Sequence, residues 1–88
     1  MAVILRHGAN EVTADYSGFT IEQIRRELAV DTEAATQLNL PEDKVMTAVV
    51  FLNGDKMTDA QEREHRVKDG DKIEFSKDMV KSKTAVAC

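Results

Sequence analysis

One thiol, Cys88, and two imidazoles, His7 and His65, are the only side chains of their kinds in 88 residues. Cys88 closes the chain, so it reads as a thiol on a tail. Such a thiol can hold sulfur as a persulfide or join a partner through a disulfide. Lys81 and Lys83 would favour its thiolate, and the adjacent terminal carboxylate opposes them. His65 stands in Glu62-Arg63-Glu64-His65-Arg66 and reads as solvated. His7 lies in a different turn and reads as a residue closing a hairpin, and nothing has zinc-ligand spacing. Asp69 and Asp71 flank Gly70. A calcium loop needs further oxygen ligands and a closing Glu, so this pair reads as a turn. There is no Gly-rich phosphate loop and no Ser/His/Asp motif. Neither enzyme activity nor a metal or cofactor is expected. Arg25 and Arg26, with Arg6, Arg63 and Arg66, are raw material for a basic patch. RNA recognition adds stacking aromatics, and the three Phe and one Tyr are expected mostly in the core.

The composition narrows the function classes further. Lys plus Arg number 12 and Asp plus Glu 16, a formal net charge of −4. That balance argues against a nonspecific grip on nucleic acid or anionic membrane, whose phosphates must be neutralised by cations. A chain of 88 residues makes one small domain with a thin core, not a deep pocket. A single cysteine forms no intramolecular disulfide. The apolar run Met1 to Leu5 is too short for a signal peptide, and Ala48-Val49-Val50-Phe51-Leu52 is too short to span a bilayer. A cytoplasmic monomer or weak dimer with no membrane contact is the expectation.

The elements that must position these residues follow from periodicity and turn chemistry. Ala2 to Leu5 is an apolar, β-rich run. His7-Gly8-Ala9-Asn10 has turn chemistry, and Glu11 to Tyr16 alternates, so the chain opens with a hairpin. Thr20-Ile21-Glu22-Gln23 is a capping box, and Ile21, Ile24 and Leu28 share one helix face. Arg25 falls with the residues read as solvated, and the helix should fade near Ala29. Asp31 can cap a short helix to Leu38, and Pro41 stops it. Val45 to Leu52 reads as the strongest strand. Asn53-Gly54 follows as a hairpin turn, with a short return near Lys56-Met57. Thr58 to Arg66 reads as a loop or one helical turn. Asp69-Gly70 turns into a last strand on which Ile73 and Phe75 share a face. Residues 1–77 form the expected domain and 78–88 a mobile tail.

An α+β arrangement follows: a mixed four- to five-stranded sheet with one main helix across it, the first and last strands parallel at its centre. The order resembles the β-grasp, or ubiquitin-like, fold. The resemblance is closest to the ThiS/MoaD sulfur carriers and more distant to the TGS domain. It is carried by Val50-Phe51-Leu52-Asn53-Gly54 and by His65-Arg66-Val67-Lys68-Asp69-Gly70-Asp71-Lys72-Ile73-Glu74-Phe75. It implies a carrier whose C-terminus is adenylated by a partner enzyme and converted to a thiocarboxylate. In that family the terminus is Gly-Gly. Here the glycines are Gly8, Gly18, Gly54 and Gly70, no two adjacent, and the chain ends Ala87-Cys88. Ala87 and Cys88 are therefore the candidate carrier tail. The implied partner is a protein, an adenylating or sulfur-transfer enzyme. The alternatives are a β-grasp binding module without carrier chemistry, or a TGS-like RNA-contacting module.

Overall fold

Val3, Leu5 and His7 alternate with Ile4 and Arg6, which gives a strand one face to bury. In the computed structural model, which describes residues 2–80, this strand is β1 (Val3–His7). Gly8 has φ +63°, as a type II′ hairpin turn requires at its first central position. The chain returns as β2 (Asn10–Ala14), antiparallel, with His7 opposite Asn10.

The main helix, α1 (Ile21–Val30), starts where its capping box lies. The Thr20 hydroxyl accepts from the Gln23 N–H at 3.2 Å, and Gln23 Oε1 accepts from the Thr20 N–H at 2.9 Å. Asp31 caps α2 (Thr32–Gln37) by accepting from the Glu33 N–H. This helix closes through Asn39 at φ +58°, which lets the Leu40 N–H donate to the Ala35 carbonyl at 2.9 Å.

The strand expected from Val45 is shorter than its apolar run. Pro41 stops one helix and starts another, α3 (Glu42–Val45), with two acidic residues in its first turn. Val45 is thus buried from a helix, and β3 spans Ala48–Leu52. Asn53 at φ +51° and Gly54 at φ +91° make the hairpin turn into β4 (Asp55–Lys56). A second capping box, Thr58 with Gln61, opens α4 (Asp59–Glu64), where a loop or single turn was expected.

The last strand, β5 (Lys72–Val80), continues past Phe75. Val50 pairs with Phe75 and Ala48 with Val80, so Ser76 to Met79 bulge opposite Val49. Residues 81–88, including the candidate tail Ala87 and Cys88, lie outside the described residues.

The sheet is mixed and five-stranded, in the order β2-β1-β5-β3-β4. The pair β1 and β5 is parallel, as expected. The helices cover one face. Val3, Leu5, Val50, Ile73 and Phe75 meet Ile21, Ile24 and Leu28 there in one core. No helix among the described residues is long and apolar enough to cross a membrane.

Candidate interaction surface

Two polar clusters hold the sheet and helices in place. In the first, Arg25 is 2% exposed and Glu62 is 3% exposed. Arg25 Nε donates to Glu62 Oε1 at 2.9 Å and Nη2 donates to Glu62 Oε2 at 3.0 Å, a bidentate pair. The same guanidinium donates to the carbonyls of Val45 at 3.1 Å and Ala48 at 2.6 Å. Its Cζ lies 5.7 Å from the centroid of the Phe75 ring. One side chain therefore ties α1 to α4, to the end of α3, to the start of β3 and to the core of β5. The expectation that Arg25 is solvated is wrong. Its position carried the signal: Ile21, Ile24, Arg25 and Leu28 complete the i, i+3, i+4, i+7 stripe of a buried helix face.

In the second cluster the two stretches that carry the family resemblance meet. Asp71 is buried; its Oδ1 accepts from Asn53 Nδ2 at 3.1 Å and its Oδ2 from the Lys68 N–H at 2.9 Å. Asn53 Oδ1 accepts from the Lys72 N–H at 2.9 Å, and the Asn53 N–H donates to the Lys72 carbonyl at 2.8 Å. Asp71 thus locks one turn against the other, a structural task. Asp71→Ala removes the buried carboxylate that accepts from the Asn53 side-chain amide and from the Lys68 N–H. It is expected to lower stability by about 2 kcal/mol, read from the urea midpoint at unchanged m-value.

The remaining candidates are separate from one another. His7 closes the first hairpin opposite Asn10, as expected, and it is also buried, because it continues the Val3–Leu5 face of β1. Its Nδ1–H donates to the Leu38 carbonyl at 3.1 Å, since a carbonyl only accepts. His65 is exposed after α4. Asp69 Oδ1 accepts from the Ala2 N–H at 2.8 Å. Among the described residues, no group of three His, Cys, Asp or Glu side chains could hold a metal ion.

The five arginines form no common patch. Arg25 is internal, and Arg26 lies 3.8 Å from Glu22. Arg66 Nη1 donates to the Gly18 carbonyl at 2.9 Å. Arg63 shares a cleft with Glu22 and Asp59. Arg6 lies on the sheet, 4.0 Å from Glu11.

The sheet face away from the helices has its own order. The strand register aligns Glu11, Arg6, Glu74, Phe51 and Lys56 in one row across all five strands. Charges alternate along it, and opposite-charge neighbours on adjacent strands stabilise a sheet modestly. Phe51, the one aromatic side chain of the row, is half-buried there. Ile4 sits in the next row between Thr13 and Lys72. This row is the candidate surface: a central aromatic framed by paired charges.

No protein-family model, curated protein or solved structure matches the chain.

Proposed function

We propose that this chain is a β-grasp domain of the ThiS/MoaD sulfur-carrier type, without catalysis of its own. It acts by docking the open face of its sheet on a protein partner. In the carrier reading that partner is an adenylating or sulfur-transfer enzyme. Support comes from the strand order around a parallel central pair, from α1 packed across it, and from the Asn53–Asp71 link between the two characteristic turns. The observation that carries the docking reading is the row Glu11–Arg6–Glu74–Phe51–Lys56. A half-buried aromatic with flanking charges is the composition of a small binding centre with a polar rim.

A second reading, a binding module with no carrier chemistry, is favoured by the glycines. All four occupy turns at positive φ, between +63° and +91°. Each serves a turn of the fold, and no two are adjacent in sequence.

Two experiments test these readings. Phe51→Gln, which places no like charge opposite Glu74, is expected to cost only about 1–2 kcal/mol at an unchanged m-value and so to leave the chain folded. The same variant should weaken partner binding by about 30-fold or more, the loss of a hot-spot aromatic. Unchanged binding contradicts the docking reading. Intact mass spectrometry of the protein from its own cells separates the carrier from the module. A sulfur-for-oxygen exchange at the terminal carboxylate, or an extra sulfur on Cys88, supports carrier chemistry. An unmodified Ala87-Cys88 end supports the module.

A further inference from the structure

A second surface lies on the opposite, helical side of the molecule, at the free edge of the sheet. β2 is an edge strand, paired only with β1. In a two-residue hairpin the closing pair, here His7 and Asn10, exchanges both backbone hydrogen bonds. Alternation then turns the N–H and C=O groups of Glu11 and Thr13 away from β1. No backbone group of the described residues pairs with them. Free edges are ordinarily blunted by devices such as an edge lysine or proline, and Asn10–Ala14 contains neither.

Beside this edge runs a cleft of about 290 Å³ between β2 and α2. Its apolar lining is Val12, Ala14 and Ala34, with the Tyr16 ring at one end, and Asp31 and Glu33 stand on the α2 side. Asp15 lines it from the strand side. Among the described residues, no lysine or arginine lines it. Burial, then Asp31 and then Glu27, push the Tyr16 phenol above its ordinary value, which agrees with a negative potential at this end.

We propose that this cleft binds an extended peptide bearing lysine or arginine. The peptide adds to the free edge of β2 as a further strand, pairing its backbone with Glu11 and Thr13. Alternate peptide side chains then fall on opposite faces. Those on the helix side enter the cleft, with apolar residues against Val12 and Ala34 and cationic ends reaching Asp31 and Glu33. Main-chain pairing supplies affinity and the cleft supplies selectivity. This occupant is chosen over an acidic peptide by charge complementarity. The surface meets the row through Phe51 only at Glu11, whose backbone it uses and not its side chain, so this inference does not depend on the sheet-face reading.

The test is an amide NMR titration of the full chain with a capped peptide of alternating Lys and Val, about eight residues long, an ordinary strand length. The expected result is saturable shifts centred on Glu11, Thr13, Asp15, Tyr16 and Glu33, weakening as salt is raised. Asp31→Asn with Glu33→Gln should weaken binding by about five- to tenfold. Thr13→Pro removes an outward N–H at an edge position where proline is tolerated, and should abolish it. The charge variant keeps the test valid if the proline variant fails to fold. Equal binding of a Glu/Val peptide, shifts centred on Phe51 and Glu74, or no saturable shifts would overturn the proposal. Concentration-dependent shifts at Glu11 and Thr13 without peptide would also overturn it, since they would identify a second copy of the chain as the occupant.

Discussion

Arg25→Ala is expected to lower the unfolding free energy by about 3–5 kcal/mol, the usual effect of removing one half of a buried ion pair. The carboxylate of Glu62 loses both of its guanidinium hydrogen bonds, and the carbonyls of Val45 and Ala48 lose a shared donor. Domains of this class have only about 5–15 kcal/mol in total. The variant should therefore be partly unfolded at room temperature, with a sharply lowered urea midpoint. Glu62→Gln keeps the shape and one acceptor, and should be damaged less. The double variant Arg25→Met with Glu62→Leu removes both charges and fills similar volume. It is expected to recover most of the loss, because a buried ion pair is costly to break and of little net value beside an apolar replacement. A double variant as unstable as Arg25→Ala would show that the two carbonyl contacts, not the pairing, dominate.

Phe75→Ala is expected to cost a similar amount, about 3–5 kcal/mol, through lost burial and the cavity left behind. Phe75 is fully buried on the central strand, in register with His7 on one side and Val50 on the other. Its ring also faces the Arg25 guanidinium. The two residues should therefore couple: combining Phe75→Leu with Arg25→Met is expected to be non-additive by about 0.5–1 kcal/mol. Strict additivity would remove the cation–π contact from the account.

The relation between these residues and the sequence explains how far a reading without coordinates reaches. Local chemistry was legible wherever one element satisfied itself. The Thr20–Gln23 box, the Asn53-Gly54 turn and the alternation of Ile73 with Phe75 each became the expected feature. The Thr58–Gln61 box has the same pattern as Thr20–Gln23 and went unread, because no apolar stripe follows it. Val45 reads as strand in sequence but ends α3, because a short apolar run suits a buried helix end as well as a strand. Long-range partners were not legible. Nothing local tells Arg25 that Glu62, distant in sequence, will be buried beside it. Only its place within the Ile21–Leu28 stripe gave a hint, and the rule that charged residues face water outweighed it. The burial of His7 is hidden for the same reason: its place at the hairpin turn is legible, and its parity with Val3 and Leu5 is the weaker signal. The open-face row was not legible, since it depends on the register of all five strands.

The most direct test of the docking account is site-specific photocrosslinking in the cells from which the chain comes. A photoreactive phenylalanine analogue replaces Phe51 in one sample and the exposed Arg26 of α1 in another. The account predicts a covalent adduct to a protein partner from position 51 and none from position 26. An adduct from position 26 alone, or from neither, would contradict it.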